Sequence, residues 1–337
     1  MSCWTGQSGP LLIAEIGGNH EGDFDAAKRL VDLALEAGAD VIKFQILSAD
    51  GLVNPRQSPQ RHAHFARFEL APEQHLALAE RVRAGGARYN ASVWEPAALD
   101  WIDPMLDFYK IGSGDLTAYP LLEVHAARGK PMLLSTGLAS LAEVQASVAH
   151  LRKVAPVYAG DDMLALMQCT SLYPTPPAQV NLAAMRSLRE ATGLAVGYSH
   201  HAHGSLALLA AAALGADILE FHFTDNREGR GFRDHAISLT APEVRALREQ
   251  LRGLGDLLGS AEKNPTHGEL DAGHVASFRR AVYCVRDLRA GDTLRAEDLV
   301  ALRPNCGVDA RDLTAVIGRR VARDTPAFAV LELEVPA

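Results

Sequence analysis

Residues 195–223 read AVGYSHHAHGSLALLAAAALGADILEFHF, and their pattern is the clearest indication of the fold. It holds two short apolar runs, Ala195–Tyr198 and Ile218–Phe223, separated by one apolar segment of helical length. An order of strand, helix and strand predicts two buried neighbouring strands joined by a crossover helix. His201 follows the first run and His222 belongs to the second, so both imidazoles are expected at the same end of one sheet.

Two imidazoles at one end of a sheet could share a divalent metal ion, which would polarise a carbonyl group. The alternative is that both histidines are hydrogen-bonded residues of the core or its rim. No short metal-ligand motif of the usual kind is present, so the spacing alone leaves both interpretations open.

The same alternation of short apolar runs and amphipathic segments extends over most of the chain. It predicts eight strands, at Leu11–Glu15, Val41–Phe44, Arg88–Ser92, Phe108–Ile111, Met132–Ser135, Leu164–Gln168, Ala195–Tyr198 and Ile218–Phe223. Helices are expected after the strands, for example at Asp25–Ala37, Pro72–Ala84, Leu141–Leu151 and Ala241–Leu258. Ser140 and Thr240 each precede a glutamate by three positions, a pattern typical of a capping box, and Gly38 suits a left-handed helix end.

Eight βα units in roughly 250 residues predict an α/β protein with a (β/α)8 barrel, here residues 1–260. An open doubly wound sheet is disfavoured, because Gly17-Gly18 does not form a Gly-x-Gly-x-x-Gly phosphate turn. Residues 261–275 are polar and are predicted to be a linker, and residues 276–337 to be a small β-rich domain. Its strands are expected at Ala281–Val285, Thr293–Leu294, Leu299–Leu302, Val321 and Phe328–Leu333.

The composition limits the class of protein. The chain has 337 residues, of which 48% are hydrophobic and 22% charged, as in a globular protein with a sizeable core. A net charge of −8 argues against nucleic acid or an anionic membrane as the main partner. No signal peptide and no apolar run of about 18 residues is visible, which favours a cytoplasmic protein. The cysteines form no Cys-x-x-Cys pair, so neither a zinc knuckle nor a disulfide framework is indicated; they are Cys3, Cys169, Cys284 and Cys306.

Polar side chains concentrate at the carboxyl ends of the predicted strands, where barrels place their chemistry. They are Glu15, Lys43, Gln45, Ser92, Lys110, Ser113, Asp115, Ser135, Thr136, Thr170, Ser199, His201, Glu220 and His222. A lysine such as Lys43 inside a buried strand requires an anionic partner or a shifted pKa. The whole set therefore predicts a functional site at this end of the barrel.

Ordered motifs along the chain make it resemble the bacterial sialic acid synthases, including the legionaminate and pseudaminate synthases, from about Ile13 to its end. The barrel motifs are Ala14-Glu15-Ile-Gly-Gly-Asn19-His20, Val41-Ile-Lys43-Phe-Gln45, Lys110-Ile-Gly-Ser113-Gly-Asp115, Ser135-Thr136-Gly137, Cys169-Thr-Ser171-Leu-Tyr173, Ser199-His-His201 and Glu220-Phe-His222. In the tail, Arg279-Arg-Ala-Val-Tyr283 and Leu302-Arg303-Pro304 resemble an antifreeze-like (SAF) domain.

The resemblance implies a transferase of carbohydrate biosynthesis. It would condense phosphoenolpyruvate with N-acetylmannosamine or a related deoxy-diacetamido sugar, giving a nine-carbon 2-keto acid and phosphate. By analogy His201 and His222 hold a divalent ion, Mn²⁺ first, with Mg²⁺ or Co²⁺ as alternatives. The resemblance also implies a domain-swapped homodimer, in which Arg303 reaches the partner subunit's site and contacts the N-acyl group.

The other roles carried over by the resemblance fall into three groups. The phosphate and carboxylate of phosphoenolpyruvate would be neutralised by Lys43 and Lys110 and hydrogen-bonded by Ser113, Ser135 and Ser199. Asp115, which stands where the family has glutamate, would orient water or accept its proton. Glu15, Tyr173 and Asp234 match family residues that hold sugar hydroxyls, and Glu15 and Asp234 are also expected among the catalytic residues. The predicted substrate-binding set is completed by Gln45, Ser92 and Ser171.

Several positions depart from the family pattern: Gln168, Ala91–Trp94, His200, Phe221 and Gly231–Arg233. Most of the matched phosphoenolpyruvate contacts are kept, while several changes lie near the acceptor and the metal, so the donor is better defined than the sugar. For His200 a solvent-facing or hydrogen-bonding role is preferred to a ligand role, and Arg61–His64 is interpreted as a solvated loop rather than a metal site.

Two other functions remain open. One is a metal-independent aldolase in which Lys43 or Lys110 forms a Schiff base with a keto acid. The other is a carbohydrate-binding protein that has kept the barrel without its chemistry. Antifreeze activity has little support, because a similar fold does not carry function.

Overall fold

Eight parallel strands form a nearly closed barrel in the first of two compact units, which cover residues 1–259 and 260–337. The structure, a computed structural model, describes residues 3–7 and 9–334. A two-residue strand, β1 (Thr5–Gly6), pairs antiparallel with the first barrel strand. The barrel strands are β2 (Gly9–Gly17), β3 (Val41–Ile46), β4 (Arg88–Val93), β5 (Tyr109–Ile111), β6 (Met132–Ser135), β7 (Leu164–Cys169), β8 (Ala195–His200) and β9 (Ile218–His222).

The strands are hydrogen-bonded in the order β4-β3-β2-β9-β8-β7-β6-β5. Over the described residues β4 and β5 lie side by side without a ladder, and the Asn90 amide donates to the Phe108 carbonyl at 2.7 Å across this seam. The predicted (β/α)8 barrel is thereby confirmed. Phe108, predicted to start a strand, precedes β5 by one residue.

Helices follow the strands and surround the barrel. In the first unit they are α1 (Phe24–Ala37), α2 (Ala49–Leu52), α3 (Pro59–Ala66), α4 (Pro72–Ala84), α5 (Leu99–Ile102), α6 (Tyr119–Ala126), α7 (Leu141–Val154), α8 (Ala184–Thr192), α9 (Leu206–Ala213), α10 (Arg233–Ile237) and α11 (Ala241–Leu258). The second unit has α12 (His267–Asp271), α13 (His274–Phe278) and α14 (Leu313–Val316).

Local signals explain where these helices start and stop. Ser140 and Glu143 form the predicted capping box of α7, with bonds of 2.8 and 3.3 Å between backbone N–H and side-chain oxygen. Before α11, the backbone N–H of Thr240 donates to Glu243 at 2.8 Å. Gly38 ends α1 in the left-handed region with φ of 80°, as predicted for a C-cap.

The alternation of side chains along each strand builds two layers. Outward residues such as Leu12 and Ile42 pack against the helices, while inward residues such as Ile13 and Val41 fill the barrel. The inward face becomes polar toward each carboxyl end: Val41 is followed two residues later by Lys43. Apolar side chains inside the barrel therefore form the floor of the site, and the side chains directly above them, toward the carboxyl ends of the strands, are ionisable.

Residues far apart in sequence meet where the first and last barrel strands pair. Strands β2 and β9 run parallel, with Glu15 opposite His222. Beyond them the Asn19 amide donates to the Phe223 carbonyl and to the Ser238 hydroxyl, both at 2.9 Å. These bonds fix the β2–α1 loop against the segment that follows β9.

The second unit contains an antiparallel pair, β10 (Ala281–Cys284) and β11 (Leu299–Leu302). The other predicted strands appear only as isolated bridges, for example Thr293 with Arg320 and Val321 with Leu333. Residues 261–275, expected to be a linker, include α12 and the start of α13. No helix among residues 3–7 and 9–334 has the length and apolar character needed to cross a membrane.

Candidate active site

A cavity of about 850 Å³ opens at the carboxyl ends of the barrel strands. Every barrel residue to which a catalytic, substrate or metal role was assigned lines it except Ser92. Thr136 and Thr170, which also belong to the predicted polar set, do not line it. Ser92 is buried beneath, where its hydroxyl accepts a 3.4 Å hydrogen bond from Lys43 Nζ. Arg303 belongs to the second unit, where its guanidinium lies 5.6 Å from the centre of the Phe278 ring.

Two buried lysine–carboxylate pairs form the charged layer of the cavity. Lys43 Nζ lies 2.6 Å from Glu15, and Lys110 Nζ lies 3.3 Å from Glu220. Gln45 also donates to Glu15 at 2.8 Å. Burial would lower the pKa of Lys43, but the two carboxylates outweigh it and raise that pKa, so the amine stays charged.

Glu220 belongs to the polar set predicted from the sequence, but the sequence did not assign it a role in the site. Besides Lys110 it meets Ser199, whose hydroxyl donates to it at 3.3 Å. Burial opposes its ionisation, but Lys110 and then Lys43 hold the pKa of Glu220 well below its usual range. The signal was present, because Glu220 and His222 are two positions apart on one strand and therefore share its inner face.

Lys110 also reaches the neighbouring serines. Its ammonium donates to the Ser135 hydroxyl at 2.8 Å. The Ser113 hydroxyl accepts a hydrogen bond from the Gly137 backbone N–H at 3.1 Å and donates one to Cys169 Sγ at 3.6 Å. Hydroxyl donors and two ammonium groups at one end of a cavity are suited to an anionic group with several oxygens.

The two histidines singled out by the sequence are neighbours in space. The centres of the His201 and His222 rings are 5.3 Å apart. The Thr170 carbonyl is 2.9 Å from His201 Nδ1 and can only accept, so Nδ1 carries the proton and Nε2 has the lone pair in the neutral ring. Nδ1 of His222 is buried without a hydrogen-bond partner among the described residues.

These observations fit a shared metal ion with an incomplete protein shell. Burial and the nearby His201 hold the pKa of His222 well below its usual range, which keeps it neutral. Burial lowers the pKa of His201 as well, but the hydrogen bond and the charge of Cys169 beside it outweigh burial and raise that pKa. No group of three His, Cys, Asp or Glu side chains suited to a metal occurs in the described part of the chain, which leaves two imidazoles plus water or substrate oxygen.

A third carboxylate, Asp115, follows β5 and lines the same cavity as Glu15 and Glu220. Burial raises its pKa above the usual range, although a hydrogen bond from Trp94 and the charge of Lys110 oppose this. A carboxylate with a raised pKa is a better proton acceptor.

The segment that follows β9 supplies the other wall. Asp234 Oδ2 lies 3.6 Å from His222 Nδ1, and burial raises the pKa of Asp234 against the opposing charge of Arg233. Arg233 donates to Asp234 at 3.2 Å and lies 4.4 Å from the centre of the Tyr173 ring. Tyr173 in turn packs on His201 with ring centres 4.1 Å apart.

Four aromatic side chains form a part of the cavity that was not predicted, here called the aromatic wall: His64, Phe65, Phe68 and Phe232. Arg61–His64 was expected to be a solvated loop, but it belongs to helix α3, which begins after Ser58 with Pro59 at its first position. His200, the other histidine discussed, is buried outside the cavity with Nδ1 3.3 Å from the Tyr198 hydroxyl.

The fold and the site define a (β/α)8 barrel protein whose cavity holds two buried lysines beside two neighbouring imidazoles. The model of the NeuB family matches residues 30–263, and that of the SAF domain matches residues 279–331. The chain is 34% identical over 323 residues to an uncharacterized protein of Methanocaldococcus jannaschii, covering 95% of this chain and 93% of the relative. It is also 34% identical over 336 residues to the N,N'-diacetyllegionaminic acid synthase of Legionella pneumophila, with the same coverage of 95% and 93%.

A solved structure of a sialic acid synthetase has the same fold. The N-acetylneuraminic acid synthetase of Leptospira borgpetersenii superposes with a TM-score of 0.70 at 29% identity, covering 78% of this chain and 90% of that one. The chain therefore belongs to the NeuB family and carries a SAF domain, as the motifs predicted.

Proposed function

We propose that this protein condenses phosphoenolpyruvate with an N-acylated amino sugar, giving a nine-carbon 2-keto sugar acid and phosphate. The single observation that carries the proposal is the shared cavity, which joins two charged lysines to two imidazoles. An enzyme that couples an anionic donor to an aldehyde needs cationic groups that bind the donor and a second group of side chains that activates the aldehyde. The lysines suit the first task and the imidazoles the second. Family membership supports the same chemistry.

The donor occupies the lysine end. Lys43 and Lys110 neutralise its phosphate and carboxylate, and Ser113, Ser135 and Ser199 donate hydrogen bonds. The carboxylates of Glu15 and Glu220 hold the two ammonium groups in place before the donor arrives, which reduces the reorganisation needed on binding.

The acceptor aldehyde lies at His201 and His222. A divalent ion bound there, Mn²⁺ in our proposal with Mg²⁺ or Co²⁺ as alternatives, would supply Lewis-acid polarisation of the carbonyl. The protein contributes neutral His222, the Nε2 lone pair of His201 and the nearby carboxylate of Asp234. Glu15, Tyr173 and Asp234, which line the same cavity, would hold the sugar hydroxyls.

The bond changes run from the donor to the acceptor and then to water. C3 of phosphoenolpyruvate attacks the aldehyde carbon, which leaves positive charge at C2. The aldehyde oxygen takes the carbonyl electron pair and a proton, and becomes a hydroxyl. Water adds to C2 and Asp115 accepts its proton. The new C2 hydroxyl then loses its proton as the bond from C2 to the phosphate oxygen breaks, which gives the ketone and releases phosphate.

A phosphate-release screen tests the proposal. Purified protein with Mn²⁺ and phosphoenolpyruvate is offered a panel of N-acylated hexosamines, and phosphate is measured against reactions that lack the acceptor. We expect acceptor-dependent phosphate that disappears on chelation and returns with Mn²⁺. Sugar binding without phosphate release for any acceptor would instead identify a binding protein.

The Schiff-base alternative is less well supported by the site. Both candidate lysines are buried in ion pairs, and a charged amine is not a nucleophile. Borohydride reduction in the presence of pyruvate should therefore leave the mass of the protein unchanged. A stable adduct on Lys43 or Lys110 would favour the aldolase.

Replacing Arg303 with alanine is expected to raise the KM for the acceptor about tenfold or more with a smaller effect on the KM for phosphoenolpyruvate. The reason is the proposed homodimer, in which this guanidinium contacts the N-acyl group in the partner subunit's site. Steady-state kinetics with each substrate varied in turn measures the split. Arg279→Ala, on the same unit, is the matched control, and an unchanged acceptor KM for Arg303→Ala contradicts the swapped arrangement.

A further inference from the structure

A second cavity, here called the outer cavity, has a volume of about 450 Å³ and adjoins the candidate active site. It is bordered by the segments that follow β6 and β7 and by the first turns of α7 and α8. Leu138, Cys169 and Ser171 line both cavities. Among the described residues, no Asp, Glu, Lys, Arg or His side chain lines the outer cavity. A cavity of this size suits a small ligand, and a lining without these charged groups suits an uncharged one.

One side chain of the outer cavity, Gln168, is polar at a position where β7 otherwise presents apolar residues to the helices. Met167 belongs to the apolar cluster inside the barrel, whereas Leu164 and Leu166 pack between the strands and the helices. Because side chains alternate along a strand, Gln168 shares the outer layer, and it is only 7% exposed. It is also one of the departures from the family pattern, so the buried amide is a particular feature of this chain.

The hydrogen-bonding groups of Gln168 are only partly satisfied. Its side-chain amide donates to the Val180 carbonyl at 3.3 Å. Its side-chain oxygen accepts no hydrogen bond from any residue in the described ranges 3–7 and 9–334. A buried polar group without a partner costs free energy, and a ligand in the outer cavity that carries an N–H or O–H group can supply that partner.

The other side chains of the outer cavity combine apolar surface with neutral polar groups. Leu138 and Leu172 are exposed beside it, and Val144 and Leu188 are buried in its lining. Exposed polar groups are added by Gln179, Asn181 and Ser187. This mixture matches a ligand that has hydroxyl or amide groups together with a small apolar group.

We propose that the outer cavity is a second binding site, which takes an uncharged N-acylated amino sugar. This inference rests on the proposed function, in which the acceptor sugar is the organic reactant without a charge. Phosphoenolpyruvate and the sugar acid product are anions, and the lining has no lysine, arginine or histidine among the described residues to hold them. The N-acyl group offers an N–H for the free oxygen of Gln168 and a methyl group for the leucines, while ring hydroxyls meet the polar groups at the edge.

Equilibrium dialysis with radiolabelled N-acetylmannosamine tests the site, with a chelator present and phosphoenolpyruvate absent so that metal-dependent binding in the active-site cavity is suppressed. We expect about one binding site per chain. Gln168→Leu, which keeps apolar volume but removes the free oxygen, should weaken this binding about tenfold. Ala184→Phe, which places a ring in the cavity from the first position of α8, should abolish it.

Gln145→Leu is the matched control. Gln145 also donates its side-chain amide to a backbone carbonyl, that of Ala191 at 3.5 Å, but it lies outside both cavities. This variant should bind the sugar like the parent protein. Unlabelled N-acetylmannosamine should displace the label, whereas mannosamine, which has a charged amine in place of the N-acyl group, should need at least about a tenfold higher concentration.

The outcomes separate this inference from the proposed function. No binding under these conditions, or binding that both Gln168→Leu and Ala184→Phe leave unchanged while their melting temperatures show folded protein, overturns the second site. Equal displacement by mannosamine overturns the choice of an N-acylated ligand. A lack of phosphate release with every acceptor refutes the proposed function alone, because the dialysis requires neither donor nor metal.

Discussion

His222→Ala is expected to reduce acceptor-dependent phosphate release at least about a thousandfold while the protein stays folded. Loss of one of two imidazoles should remove the metal, whose polarisation of a carbonyl provides several kcal/mol of transition-state stabilisation. The fold should survive, because His222 Nδ1 makes no hydrogen bond with the described residues that could be broken. Phosphate release, bound Mn²⁺ after gel filtration and the melting temperature measure the three effects separately.

His125→Ala provides the matched control for that variant. His125 is also buried, at 1% exposure, and its Nδ1 lies 2.9 Å from the Leu121 carbonyl on α6, away from the cavity. We expect this change to lower the melting temperature but to leave turnover and bound Mn²⁺ unchanged. Near-normal turnover and metal content in His222→Ala would show that the two imidazoles do not hold an ion.

The second large effect is expected from Lys43→Met, which should abolish phosphate release and lower stability together. The substitution removes the ammonium 2.6 Å from Glu15, and both side chains are only 3% exposed. Breaking a buried ion pair by removing one partner costs about 3–5 kcal/mol, because the other charge is left uncompensated. Thermal unfolding and calorimetric titration with phosphoenolpyruvate provide the two measurements.

Adding Glu15→Gln to Lys43→Met separates stability from donor binding. The double variant has no unpaired carboxylate at position 15, so at least half of the decrease in melting temperature caused by Lys43→Met should be reversed. Phosphoenolpyruvate binding should not return, since its cation is still missing. A double variant that regains donor binding would assign Lys43 a purely structural role, and a single variant as stable as the parent would contradict the buried pair.

The barrel could be predicted from its eight successive strand–helix units, and most of its polar site residues from their position at the carboxyl ends of the strands. In β3 the inward face reads Val41, Lys43, Gln45, so apolar and polar residues separate along the strand without any long-range information. The strand ends were therefore predicted to within about two residues in most cases. The pairing of Lys43 with Glu15 and of Lys110 with Glu220 needed the three-dimensional register, which a single sequence does not contain.

The aromatic wall could not be predicted for a different reason. Helix α3 has no buried residue, so its sequence lacks the apolar stripe from which amphipathic helices are recognised. Only Ser58 and Pro59 indicated its start. Phe68 and Phe232 are separated by most of the barrel in sequence, and their contact follows from the meeting of two loops rather than from a local pattern.

The bonds from Asn19 to Phe223 and Ser238 have a consequence for biosynthesis, because they join positions 204 and 219 residues apart. At about 5–20 residues per second, a ribosome synthesises β9, the last barrel strand and one of the two parallel neighbours of β2, some 10–40 s after β2 itself. Throughout that interval one edge of the nascent sheet has no neighbour and can pair with other chains. We therefore expect newly made chains interrupted before residue 240 to aggregate or to engage chaperones, while full-length chains escape.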